Sequence, residues 1–208
     1  MTPPPRPSLP YSLIAAVSWP ILHLVFRYRA RGTEHLPASG GYVLASGHLS
    51  NLDPWALGMA VWPHRFLRFM AKSELFWFPL GALIKACGGF KVRRGQADLE
   101  AIETAVALAR QGHVIAMFPE GTRRKKGLHK TREAQAHTGA ARIALDAGVP
   151  LVPAGVSGTD RLRALQAWHV HYGQPVEVGD LGEYPAAEAA RIATERVMAA
   201  IAELEESG

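Results

Sequence analysis

The chain has 208 residues, of which 48% are hydrophobic and 20% charged, with a formal net charge of +5 and a single cysteine, Cys87. This length supports one domain with a full apolar core, and one cysteine excludes both a disulfide scaffold and a cysteine-based zinc cluster. Chemistry must therefore run on histidine, carboxylates or hydroxyls in a reducing compartment, and the positive balance favours anionic partners such as phosphates, lipid headgroups or nucleic acid.

In chain order, a proline-rich start from Met1 to Pro10 reads as an extended leader. Between Ser8 and Phe26 there is no Asp, Glu, Lys or Arg, and the basic run Arg27, Arg29, Arg31 follows. A crossing needs about 20 mostly apolar residues, so this segment is borderline on length. Pro10, Ser12, Ser18, Pro20 and His23 weaken it further, and the reading preferred is a kinked helix lying in the membrane interface. An ordinary core helix is the alternative. Gly32 to Gly41 reads as a loop, and Tyr42 to Ser46 as a buried strand. Arg65 to Ala71 and Phe90 to Arg93 read as further strands, the latter with Phe90 and Val92 on one face. Leu75 to Ile84 is apolar but too short to cross a bilayer; Trp77 suits a headgroup-level contact, and a turn buried under the core is the other reading.

Ala97 to Gln111 carries Leu99, Ile102, Val106 and Ala109 at helical spacing, with Gly112 as a stop. Val114 to Phe118 is a buried strand, a helix follows from Ala134 to Ala147, and Val149 to Pro153 is the next apolar run. His169 to Val178 reads as one or two strands broken at Gly173, and Ala186 to Leu204 as a closing amphipathic helix. The alternation of strands and helices predicts an α/β fold: a largely parallel mixed sheet covered by helices, preceded by the apolar membrane-associating helix. Residues 1–31 form the leader and helix in this reading, and 32–208 the main domain.

Three motifs fall at the carboxyl ends of predicted strands, where α/β sheets collect function. His48 and Asp53 are five apart, about 140° on a regular helix, so they cannot share one helical face. Across a strand-to-helix turn they can meet, with the aspartate orienting an imidazole that acts as a base. Asp53 before Pro54 also fits a structural helix cap. Phe118-Pro119-Glu120-Gly121-Thr122-Arg123 offers a close-approach glycine, a hydroxyl and a guanidinium fork for phosphate, or simply a turn. Gly88 to Gly95 delivers Arg93 and Arg94 to a glycine-rich strand end, which suits phosphate or a solvated edge.

In order and spacing, His48-x4-Asp53, Gly88 to Arg94, Phe118 to Arg123 and Val149 to Pro153 resemble the four motifs of the glycerophospholipid acyltransferases. The chain looks most like the 1-acylglycerol-3-phosphate O-acyltransferase (PlsC-like) branch, with support from Gly32 to Pro37 and Lys72 to Phe76. The resemblance implies a phospholipid-biosynthetic acyltransferase with His48 and Asp53 as the catalytic pair. It places Arg94, Glu120, Gly121, Thr122 and Arg123 at the acceptor phosphate and Pro153 on the acyl-donor side. An acyl-CoA or acyl carrier protein thioester is the implied co-substrate, with no cofactor and no metal. The expected acceptor is 1-acylglycerol-3-phosphate, giving phosphatidate; glycerol-3-phosphate or another lysolipid, or a noncatalytic peripheral membrane protein of the same fold, are the alternatives. The expected partners are membrane lipids, at the cytoplasmic face of the membrane, in a peripheral or monotopic placement.

The chain departs from the pattern in a lengthened loop from Leu128 to Ala136 and in His137 before Thr138-Gly139, which bears on acceptor and chain-length preference. Ser157, in Gly155-Val156-Ser157-Gly158-Thr159, does not complete a nucleophile elbow. Cys87 reads as a small hydrophobe, and His169 with His171 as surface residues rather than a metal site. The basic run Arg123, Arg124, Lys125, Lys126, Lys130 and Arg132 accompanies no recognised nucleic-acid motif, so anionic lipid or coenzyme A phosphate is the expected contact and nucleic acid is not.

Overall fold

The computed structural model describes residues 5–92, 99–121 and 136–206. Seven strands form one sheet in the order β1-β7-β6-β2-β5-β3-β4, where β1 is Arg29–Arg31, β2 Tyr42–Ser46, β3 Leu67–Lys72, β4 Gly89–Val92, β5 Val114–Met117, β6 Leu151–Ser157 and β7 His169–Tyr172. Every pairing is parallel except β6 with β7, so the largely parallel mixed sheet holds as read. The central strand β2 is buried along its whole length, as its unbroken apolar run requires when both faces are covered.

The two faces are packed differently. One is covered by α1 (Leu9–Leu24) and α2 (Asp53–Met59) and is rich in aromatics: Tyr11, Tyr28, Tyr42, Phe66, Trp168 and Tyr172 belong to its core. The Tyr28 hydroxyl donates to the carbonyl of Ala56 at 2.8 Å and that of Tyr172 to the carbonyl of Leu57 at 2.7 Å, so both phenols end on α2. The other face carries α4 (Leu99–Arg110), α5 (Gly139–Ala147) and α6 (Ala186–Glu206), and its core is alanine-rich. A short α3 (Leu80–Ala86) leads into β4.

Several boundaries differ from the sequence reading for physical reasons. Arg65 is not in β3; it is buried, and its guanidinium donates to the carbonyls of Pro37, Gly40 and Gly112, tying three loops together. β6 runs past the prolines to Ser157, and the segment from His169 gives a single strand, because Gly173 closes against Pro153 and its amide donates to the Pro153 carbonyl. The buried face of α4 is Ala101, Ala105 and Ala109, with Leu99 exposed: small residues let this helix lie close to its neighbours. The helix expected from Ala134 begins at Gly139, with Ala134 outside the described residues, as are Arg93 at the end of β4 and Ala97 before α4.

The apolar N-terminal segment forms α1 as a single helix with Pro20 inside it. Tyr11, Ala15 and Leu22 are buried in the aromatic core, whereas Leu9, Leu13, Val17, Ile21 and Leu24 are exposed at intervals of three and four, which places them on one face. Among the described residues no helix is long and apolar enough to cross a membrane. The stretch around Trp77 is not a buried turn, since Trp77, Phe78 and Leu83 are all exposed, Phe78 to 87%.

Candidate active site

β2 ends at Ser46 and the chain turns through Gly47 and His48 into α2, whose first residue is Asp53. The cap reading of Asp53 does not hold, because its carboxylate turns back over the preceding loop instead of onto the amides of its own first turn. Its Oδ2 accepts from the amides of Leu49 at 2.7 Å and Ser50 at 2.8 Å and lies 2.8 Å from His48 Nδ1. A carboxylate only accepts, so Nδ1 carries the hydrogen, and in the neutral imidazole Nε2 is the nitrogen with the lone pair. Asp53 is fully buried and His48 is 8% exposed. Buried charge is sustained by this density of donors.

A fourth donor comes from far away in sequence. The hydroxyl of Thr159, in the turn after β6, donates to Asp53 Oδ1 at 2.5 Å, and Thr159 is 1% exposed. The sequence reading does not single out Thr159; its signal is a hydroxyl directly after Gly158 at a strand end, beside the Ser157 that does not complete a nucleophile elbow. Gly158 has φ +83°, and a Cβ there would stand 2.0 Å from the Ala167 carbonyl oxygen, so the turn that presents Thr159 requires glycine.

The turn after β5 meets the histidine on its other side. The Phe118 ring stacks on the His48 imidazole with centroids 4.2 Å apart and planes 23° apart. The amide of Gly121 donates to the Phe118 carbonyl, closing a turn, and the amide of His137 donates to the Pro119 carbonyl. Gly121 has φ +68°, and a Cβ on it would lie 2.6 Å from His137 Cδ2, so glycine leaves room for that edge of the imidazole. Glu120 and Gly121 are thus carried on the same turn that supports His48, while Thr122, Arg123 and Arg94 lie outside the described residues. The basic run Arg124 to Arg132 is likewise outside them. Pro153 lies within β6, buried against Gly173, in register with Ala45 of β2.

The fold and the site define an α/β enzyme with an oriented imidazole at the carboxyl ends of parallel strands, a buried carboxylate behind it and, among the described residues, no side-chain nucleophile bonded to it, an arrangement suited to general-base chemistry. Comparison with known proteins gives the particular family. The family model described as Acyltransferase matches residues 27–157, more than half of the chain, and the chain belongs to that family. It is 31% identical over 191 residues to the 1-acyl-sn-glycerol-3-phosphate acyltransferase of Bacillus subtilis, covering 89% of this chain and 92% of that protein. It is 34% identical over 141 residues to the human 1-acyl-sn-glycerol-3-phosphate acyltransferase alpha, covering 64% of this chain but 48% of that protein, so the chain spans about half the length of that relative. In fold it is similar to the crystal structure of the 1-acyl-sn-glycerophosphate acyltransferase PlsC from Thermotoga maritima, with a TM-score of 0.61 at 22% identity over 86% of this chain and 72% of that one.

Proposed function

We propose that the protein transfers an acyl chain from a coenzyme A or carrier-protein thioester to the free hydroxyl of 1-acylglycerol-3-phosphate, giving phosphatidate. The observation that carries this reading is the buried His48–Asp53 pair, whose hydrogen bond directs the imidazole so that Nε2 is available to an acceptor. Similarity to acyltransferases named for this acceptor supports its identity.

In the reaction, His48 Nε2 removes the proton from the glycerol hydroxyl as that oxygen attacks the thioester carbonyl. Asp53 holds the ring and stabilises the imidazolium that forms. The tetrahedral intermediate collapses by breaking the carbon–sulfur bond, and the imidazolium returns its proton to the departing thiolate. A thioester is already activated, so no acyl-enzyme is needed. Glu120 and Gly121, with Arg94, Thr122 and Arg123, are assigned to the acceptor phosphate, and Pro153 to the donor side.

The protein works peripherally at the cytoplasmic face of a membrane in this reading. The exposed stripe Leu9, Leu13, Val17, Ile21 and Leu24 of α1 would enter the interface, and the exposed Arg27, Arg29 and Arg31 would meet anionic headgroups.

The test is thioester consumption by the detergent-solubilised protein with acyl-CoA or acyl carrier protein, offered lysophosphatidate, glycerol-3-phosphate and uncharged lysolipids. Transfer dependent on lysophosphatidate, falling at least about 10²-fold in His48→Ala, is the expected result. Transfer that survives His48→Ala would overturn the mechanism, and a preference for another acceptor would overturn the substrate.

A further inference from the structure

We infer that Thr159 is a positioning residue for the reaction, acting through Asp53 to set the orientation and basicity of His48; the inference rests on the general-base reading above. Three observations carry it. Thr159 is 1% exposed, and its hydroxyl is spent on Asp53 Oδ1 at 2.5 Å, on the carboxylate oxygen that His48 does not use. Oδ2 already accepts from His48, Leu49 and Ser50, so Thr159, which among the described residues is the hydrogen-bond donor to Oδ1, anchors the carboxylate by its second oxygen as well. The turn that presents the hydroxyl is built at a cost, since Gly158 takes a left-handed conformation with no room for a side chain against Ala167.

The electrostatic effect has a definite sign. A hydrogen bond to the carboxylate spreads its negative charge and so moderates its pull on the imidazolium. Without the hydroxyl, Oδ1 is a buried anionic oxygen lacking a donor, and the pair lowers its energy by keeping His48 protonated. The free-base form is then reached only at higher pH.

Few other charges compete for this control. β2, β5 and β6 contain no Asp, Glu, Lys, Arg or His; α2 contributes only Asp53, and α1 only His23. Glu120 and His137 stand at the turn after β5, and Asp160 and Arg161 follow Thr159. Among the described residues, the His48 side chain makes one hydrogen bond, which its Nδ1–H donates to Asp53.

The experiment compares wild type, Thr159→Val, Thr159→Ser and His48→Ala in acyl transfer from acyl-CoA to lysophosphatidate, reading kcat, KM and the rate–pH profile, with thermal melts alongside. Thr159→Val should lower kcat by about tenfold or more, as loss of a hydrogen bond to a charged group implies, while the acceptor KM changes little. It should also move the acidic limb of the profile to higher pH, and Thr159→Ser should restore both. Wild-type kcat and profile in Thr159→Val would overturn the inference. So would a loss that follows the unfolded fraction with the limb in place. Should the valine variant not fold, Thr159→Ala against Thr159→Ser gives the same comparison. Activity that persists in His48→Ala would instead reject the general-base reading itself.

Discussion

Asp53 gathers four donors, and replacing it by alanine or by asparagine separates its two duties. Alanine leaves the amides of Leu49 and Ser50, the His48 Nδ1–H and the Thr159 hydroxyl without their acceptor. Leu49 and Ser50 are half-buried, so water can reach part of this loss, and each donor is counted at the low end, about 1 kcal/mol, giving roughly 4 kcal/mol for Asp53→Ala. Asparagine can keep its carbonyl oxygen where Oδ2 stands and turn its amide toward Thr159, whose hydroxyl can reverse to accept. It loses charge assistance but no partner, so Asp53→Asn should cost roughly half as much. Activity should not follow stability. Both variants lack the negative charge behind the imidazolium, and both should lose about 10²-fold or more in kcat. Urea unfolding followed by circular dichroism gives the first quantity and thioester consumption the second. Equal destabilisation by the two substitutions would refute the hydrogen-bond count, and more than about a tenth of wild-type activity in Asp53→Asn would refute the need for the charge.

Two further outcomes are expected. Leu13→Gln with Val17→Gln should lower partitioning onto anionic vesicles by at least about tenfold, since each buried side chain of this kind contributes about 1.5–3 kcal/mol, and unchanged co-sedimentation would reject the α1 docking face. Burial, with Arg68 and Arg65 nearby, pushes the His113 imidazole from 6.5 down to about 4. The unfolded chain therefore takes up this proton first, so stability should fall as pH drops from about 6.5 toward 4, by roughly 2 kcal/mol after allowance for solvent screening. His113→Gln should flatten that part of a stability–pH curve, and an unaltered slope would show that other groups set it.

What was legible in the sequence was local. Tyr42 to Ser46 could be read as a buried strand because its short apolar run leaves no polar face, and the structure places β2 there without change. The His48–Asp53 pairing was legible because both lie in one turn, five residues apart. The extent of β6 was not, because Pro150 and Pro153 look like breaks until the β2 partner is known. Arg65 read as part of a strand because nothing in its neighbours reveals three loop carbonyls converging on it. Thr159 is 106 residues from Asp53, and no periodicity reaches that far. On α4 the helical spacing found Ala109, which is buried, and Ile102 and Val106, which pack against the core, but Ala101 and Ala105 give no such signal because large apolar residues dominate a helical pattern, whereas close helix packing selects the small ones.

The two phenols on α2 give that helix an unusual dependence. Seven residues are too few to hold a helix in water, so α2 exists only through what surrounds it. Tyr28, between α1 and β1, and Tyr172, on β7, grip its carbonyls at Ala56 and Leu57, one turn along from Asp53. The aspartate is therefore surveyed into place from the far edge of the sheet, with the helix serving as the rod between two fixed pins and the His48 ring. Drift in either tyrosine would reach the His48–Asp53 pair as misalignment, without a single change in the pair itself.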